Sequence, residues 1–184
     1  MKITTGTFKG SVLTTPPSIR ATSTKVRQAF CNILAAVLPG ARVLDGFAGS
    51  GAVGCEALSR GAAFVAFLES DPQAIVAIQE NVARLGVQLP RAAWRLVQFD
   101  IERGLRQVAM VEPPFNVIFL DPPYRSEEGK KALNVVVDCG MLAPTGMLVI
   151  EHERRMSYPA SVGPLQQCTQ HRYGDTVLSF YQHA

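Results

Sequence analysis

"ARVLDGFAGSGAVGCEALSRGAAFVAFLES", residues 41–70, decides the fold. ARVLDGF (41–47) is an apolar run with the length of a strand, and GAVGCEALSRG (51–61) reads as a helix closed by Gly61. AAFVAFLES (62–70) is a second apolar run. Strands that are apolar on both faces and alternate with helices predict a parallel sheet covered on both sides. Gly49, Gly51 and Gly54 fall in a G-x-G-x-x-G spacing between the first strand and its helix, where the backbone can turn tightly and approach a ligand.

The same alternation continues outward. Asp71 is placed to cap a helix with Pro72 at its first position, PQAIVAIQENVARLG (72–86), closed by Gly86. AWRLVQF (93–99), FNVIFLD (115–121) and GMLVIEHE (146–153) are three further strands, the last two separated by a helix near residues 127–139. LQQCTQHRYGDTVLSFYQ (165–182) is two alternating runs around Gly174-Asp175, which predicts an antiparallel hairpin at the edge of the parallel sheet. Upstream, KITTGTFKGSVLTT (2–15) reads as a short hairpin. A helix over 23–38 carries Val26, Ala29, Phe30, Ile33, Leu34 and Val37 at helical spacing, with Lys25, Gln28 and Asn32 on another face.

The chain has 184 residues, 47% hydrophobic and 18% charged, which suits one globular domain: a basic N-terminal hairpin and helix (1–40) on a core (41–184). No apolar run approaches the roughly 20 residues that span a bilayer, and MKITTGTFKG has no signal-peptide core, so a cytoplasmic location is expected. Cys31, Cys55, Cys139 and Cys168 are scattered without a C-x-x-C pair, and the three histidines do not cluster; buried free thiols are expected, and no metal site. Residues 1–44 carry six bases (Lys2, Lys9, Arg20, Lys25, Arg27, Arg42) and no acid, leaving twelve bases against fifteen acids in the rest. Such asymmetry favours contact with phosphates over a merely solvated face, though only modestly.

Two constellations carry chemistry. Asp45 stands at the strand end before the glycine loop, where a carboxylate would repel a bound pyrophosphate. S-adenosylmethionine has no phosphate and carries a sulfonium and an ammonium, so the acid is compatible with it. Glu69 ends the second strand, placed for ribose hydroxyls, and Asp100 ends the third, where it could meet an adenine amino group. A helix cap or solvated strand end is the alternative for each acid: it is preferred for Asp71, outweighed for Asp45 and Glu69, and about even for Asp100.

The second constellation is Asp121-Pro122-Pro123-Tyr124 at the end of FNVIFLD. Proline fixes φ, and the residue before it is held extended. The result is a stiff segment offering two acceptors, the Asp121 carboxylate and the Pro122 carbonyl, and then a flat ring. Two acceptors can hold both hydrogens of an exocyclic amino group and aim its lone pair at a methyl donor, while the tyrosine stacks on the base.

GTFKGSVLTTPP, IRATSTKVRQAFCNIL, VLDGFAGSGAVGCEALSRGA, FLESD, FLDPPY and RYGDTVLSFY together resemble the bacterial 16S ribosomal RNA guanine-N2 methyltransferases of the RsmD type, over nearly the whole chain. The resemblance implies a Rossmann-like class I methyltransferase fold, with helices on both faces of a seven-stranded, mostly parallel sheet and an antiparallel C-terminal strand. It also implies S-adenosylmethionine as cofactor, and as partner 16S ribosomal RNA or the small-subunit particle, without metal or membrane; nothing demands more than a monomer. Carried over, Asp121 to Tyr124 are catalytic. Asp45, Gly49, Gly51 and Glu69 match the cofactor site, and Arg20 and Thr22 a segment leading to it; with Phe47, Ala48, Ser50, Ser70, Asp100 and Asp121 they form the expected cofactor set, while the basic N-terminal residues Lys9, Arg20, Lys25 and Arg27 are expected to dock the RNA. Ala21 stands where the family usually has proline, and Asn116 where aspartate is frequent. The rival readings are an amino-methyltransferase acting on DNA or a protein side chain, a nicotinamide-dependent oxidoreductase using the glycine loop, and a binding module without turnover.

Overall fold

The computed structural model describes residues 1–17, 24–86 and 93–184. One eight-stranded sheet organises them, in the order β3-β2-β1-β4-β5-β8-β7-β6. The strands are β1 (Arg42–Gly46), β2 (Phe64–Glu69), β3 (Trp94–Gln98), β4 (Phe115–Leu120), β5 (Leu142–Glu153), β6 (Ser161–Val162), β7 (Leu165–Tyr173) and β8 (Thr176–His183). β1 to β5 run parallel; β8 pairs antiparallel with β5, and β7 antiparallel with β8. The expected seven strands become eight because Ser161 and Val162 pair with Gln166 and Leu165 to add a two-residue edge. Gly174-Asp175 turns the terminal hairpin as its sequence predicts, with Gly174 at φ 66°.

Successive strand residues point to opposite faces, so near-continuous apolar strands feed two cores. Val43, Val65, Phe67, Val117, Phe119 and Val149 face α1 (Thr24–Ile33), α2 (Ala52–Ser59) and α3 (Pro72–Leu85). Leu44, Leu68, Ile118, Leu120, Leu148 and Ile150 face α4 (Ile101–Val111) and α5 (Glu128–Asp138). Helix α2 lies so close to the sheet that a Cβ on Gly54 would stand 2.2 Å from the Phe67 ring, which explains the last glycine of the motif as packing.

Helix α4 is absent from the sequence expectation because Gly104 interrupts a short pattern. A Cβ there would stand 2.1 Å from Leu68, so the residue that weakens the helical signal is what lets the helix dock. Asp100 caps it by accepting from the Arg103 N–H at 3.0 Å, and Ile101, Leu105 and Val108 form its buried stripe.

The N-terminal segment pairs antiparallel as the hairpin reading expects, with one bridge at Lys2 and Val12 flanked by the Leu13 N–H to the Met1 carbonyl at 2.8 Å and the Ile3 N–H to the Ser11 carbonyl at 3.0 Å. Helix α1 ends at Ile33, not near 38, and residues 34–37 continue as turns. Of the expected apolar stripe, Val26, Phe30 and Leu34 are buried while Ile33 and Val37 are 40% and 39% exposed. Cys31 and Cys55 are buried free thiols as expected, but Cys139 is half-buried and Cys168 exposed. No helix of the described residues is long and apolar enough to cross a membrane.

Candidate active site

β1 is the strand from which the chain builds in both directions, with β2 on one side and β4 on the other. Open parallel sheets bind ligands at such a switch point, outside the carboxyl ends of the strands. Both constellations arrive there. Asp45 and the glycine loop leave β1, Asp121 to Tyr124 leave β4, and the Asp121 N–H donates to the Gly46 carbonyl at 3.3 Å.

The glycine loop is braced by acids. Glu69 Oε2 accepts the Gly49 N–H at 2.7 Å, while Oε1 accepts from Ser70 and Asp71 at 2.7 and 2.9 Å. Asp45, 2% exposed, accepts the Gly54 N–H at 2.8 Å and so satisfies a first-turn donor of α2. Burial drives its carboxyl well above the ordinary carboxylate pKa; the Gly54 bond opposes this, and the charges of Asp121 and Glu69 add to it. Ala48, Ser50 and Gly51 are buried and Gly49 half-buried; Phe47 is half-buried at φ 61°, a left-handed conformation unusual for a non-glycine residue. Ser70 is exposed at the end of β2, and Asp71 caps α3 by accepting from Gln73 and Ala74 at 2.8 and 2.9 Å. Asp100 lies at the same sheet edge, exposed, with one oxygen used on α4.

The buried Asp45, with the charges of Glu69 and Asp121 near it and a loop of backbone N–H groups alongside, makes a poor seat for phosphate and a good one for a cation. The chemistry of S-adenosylmethionine fits that donor set: a sulfonium and an ammonium complement acids, and Glu69 Oε2, which accepts one N–H, retains acceptor capacity for a hydroxyl.

Pro122 is buried, whereas Pro123 and Tyr124 (36% exposed) face outward. The Pro123 carbonyl accepts from the N–H and hydroxyl of Ser126, at 3.2 and 2.8 Å, which fixes the turn beyond the motif. Behind Pro122 stands Gly129, in the first turn of α5, with Tyr158 beside it; a Cβ on Gly129 would meet the Tyr158 hydroxyl at 2.1 Å and the Pro122 ring at 2.7 Å. The Tyr158 ring lies tilted at 45° against that of His152, centroids 4.9 Å apart, and burial pushes its hydroxyl up to about 12.

The expected RNA-binding group separates. Lys9 and Lys25 are exposed, but Arg27 is fully buried. Its guanidinium donates to the Lys2 carbonyl at 2.8 Å and lies 3.7 Å from Glu56, so it ties the N-terminal segment to α2 and cannot serve a docking face. Glu56 also accepts from the Thr4 hydroxyl and from the backbone of Thr4 and Thr5. Arg20 and Thr22 lie outside the described residues.

Sequence reading missed Asn81, which joins these parts. Its Oδ1 accepts the Thr14 N–H at 2.7 Å and its Nδ2 donates to the Thr14 and Ser50 carbonyls at 2.8 and 2.9 Å, clamping the N-terminal segment to the glycine loop. The available signal was a single amide within the apolar stripe Ala77, Ile78, Val82, Leu85.

Residues 1–182 match the family described as "Conserved hypothetical protein 95". The Bacillus subtilis (strain 168) protein YlbH is 36% identical over 184 residues, covering 99% of this chain and 98% of that one. "Ribosomal RNA small subunit methyltransferase D" of Escherichia coli (strain K12) is 33% identical over 162 residues, 86% of this chain and 78% of that protein. The structure of a hypothetical protein of Thermus thermophilus superposes with a TM-score of 0.84 at 29% identity, covering 99% of both chains.

Proposed function

This chain belongs to the family described as "Conserved hypothetical protein 95", and we propose that it transfers a methyl group from S-adenosylmethionine to the exocyclic N2 amino group of a guanine in 16S ribosomal RNA, in the cytoplasm and as a monomer. One observation carries the reading: the rigid Asp121–Tyr124 segment and the acid-braced glycine loop meet at the β1–β4 switch point, joined by the Asp121–Gly46 hydrogen bond. The named Escherichia coli relative supports small-subunit RNA as the substrate class.

The bound cofactor supplies an electrophilic methyl group on a positively charged sulfur. Asp45, Glu69 and the loop from Phe47 to Gly51 bind it, with Ser70 and Asp100 at the outer strand ends. The Asp121 carboxylate and the Pro122 carbonyl accept the two amino hydrogens of the guanine and turn the nitrogen lone pair inward. Tyr124 stacks on the base plane, worth on the order of 1–3 kcal/mol in nucleic-acid sites. Most of the catalysis is alignment, because the buried Pro122 leaves the acceptors little freedom. As positive charge develops on nitrogen, Asp121 stabilises it, and the proton leaves afterwards to solvent. A base stacked in RNA has to be turned out to reach this segment.

The test is tritium transfer from labelled S-adenosylmethionine to unmodified small-subunit RNA, free and as the particle, followed by nucleoside analysis. N2-methylguanosine is the expected product. Label in DNA or in protein side chains, with none in RNA, would move the same chemistry to another amino group.

A further inference from the structure

Eight of the sixteen basic side chains of the described residues form ion pairs within the fold, among them Arg42 and Arg95 on Glu112, Arg60 on Glu56 and Lys131 on Glu102. Arg154 and Arg155 are among the other eight. Both are exposed, and neither forms an ion pair among the described residues. They follow β5, whose end lies beside that of β4 at the carboxyl edge of the sheet. The β7–β8 turn reaches the same edge, because Thr176 pairs with Glu153.

These three segments enclose a cleft of about 360 Å³, lined by Tyr124, Arg125, Glu153, Arg154, Arg155 and Asp175. Tyr124 therefore belongs both to the catalytic segment and to the cleft wall. Arg125, next to it, is held at φ 60° with its Nε 3.9 Å from Glu153. A left-handed non-glycine residue costs of order 1–3 kcal/mol and persists where the surroundings require it, which here brings a guanidinium round to the cleft.

The basic N-terminal loop has no comparable position. Thr7 and Phe8 donate to the Ser59 carbonyl and hydroxyl at 2.8 and 2.9 Å, and Ser59 is the last residue of α2. The glycine loop is at the other end of that eight-residue helix, roughly 12 Å away along its axis. Lys9 thus lies away from the reacting edge.

We propose that the cleft holds the phosphodiester backbone adjoining the target nucleotide, with Arg154 and Arg155 as its phosphate contacts. The proposal rests on the methyltransferase reading. A base stacked on Tyr124 brings its own flanking phosphates to the neighbouring wall, and the guanidinium fork matches phosphate oxygens in pairs. Glu153 and Asp175 keep the cleft from being a general anion trap: they hold its net charge low, so that binding depends on where the guanidiniums stand.

The experiment compares the wild type with the double variants Arg154→Ala/Arg155→Ala and Arg154→Lys/Arg155→Lys. Methyl transfer to unmodified small-subunit particles is followed across a salt series, and S-adenosylmethionine affinity is measured by calorimetry. Losing two contacts to single-stranded phosphates should lower the slope of log KM against log salt by about 1.4 and raise KM roughly 25-fold at about 0.1 M salt. kcat and cofactor affinity should be unchanged, and the lysine variant should keep most of the slope. An unaltered KM and slope overturns the proposal, as does a fall in kcat or cofactor affinity with KM unchanged, which would place the arginines in the reacting centre. If the wild type transfers nothing to RNA, the underlying reading fails first, a result distinct from a wild type that works and a variant that matches it.

Discussion

Replacing Gly129 by alanine tests whether the catalytic segment is held from behind. The new Cβ would lie 2.1 Å from the Tyr158 hydroxyl and 2.7 and 3.2 Å from two carbons of the Pro122 ring, whereas carbon contacts are comfortable at about 3.5–4.0 Å. Something must retreat by about 1 Å. Tyr158 is buried against His152, and the Pro122 ring has no torsion with which to move aside. Overpacking of this kind costs about 1–3 kcal/mol. Alanine in place of a helical glycine returns about 0.5–1 kcal/mol. The balance is a loss of about 0–2.5 kcal/mol, or several degrees in Tm for a domain of this size. Activity should suffer more than stability. A displacement of about 1 Å at an aligned centre costs roughly 100-fold in kcat, while S-adenosylmethionine, held on β1 and β2, should bind as before. Calorimetric binding, thermal melting and single-turnover transfer measure the three quantities. Adding Tyr158→Phe removes the nearer obstacle but not the proline, so it should recover stability without recovering kcat. Wild-type kcat in Gly129→Ala would refute the idea that Gly129 and Pro122 together position the acceptors.

Three further outcomes follow from the same geometry. Asp121→Ala should abolish most methyl transfer with cofactor affinity nearly unchanged; a large loss of cofactor binding in calorimetry would place this acid in the cofactor site instead. Asn81→Ala removes three hydrogen bonds from a buried position and should destabilise by on the order of 2–4 kcal/mol, weakening cofactor binding through Ser50; chemical denaturation with parallel titration checks both, and unaltered affinity would show that the clamp is merely structural. Asp45 keeps its proton in the folded chain after the unfolded chain has lost it, so stability should fall as pH rises above the usual 3.8 until the folded carboxyl ionises. Over that window affinity for the cationic cofactor should rise, and Asp45→Asn should flatten both profiles, read as denaturation midpoint and calorimetric Kd against pH.

What could be read from the sequence was whatever a local pattern encodes. The β1–α2–β2 unit, the Asp71-Pro72 helix start and the Gly174-Asp175 hairpin need only neighbours in the chain, and each stands where its residues place it. Misreadings arose where a distant partner decides. Arg27 looked like a surface base because arginine usually is one; Glu56, on another helix, makes its burial tolerable. Gly104 obscured α4 because the reason for the glycine is Leu68, on β2. Asp45 stands where its motif puts it, yet its bond to the Gly54 N–H appears only once α2 has formed. The cleft at Arg154 and Arg155 was beyond any local reading, since its walls come from three segments that meet only when β8 has taken its place.

That placement constrains how the chain can assemble during synthesis. β8 lies between β5 and β7, although β7 is made before it. When β7 emerges from the ribosome it therefore has no site on the sheet, and the outer edge of β5 stays open until residues 176–183 follow. A nascent chain stalled before residue 176 would carry two unpaired strand edges, the kind of surface on which strands from other chains add. Release of the hairpin as one piece should then complete the sheet and the wall of the cleft in a single step.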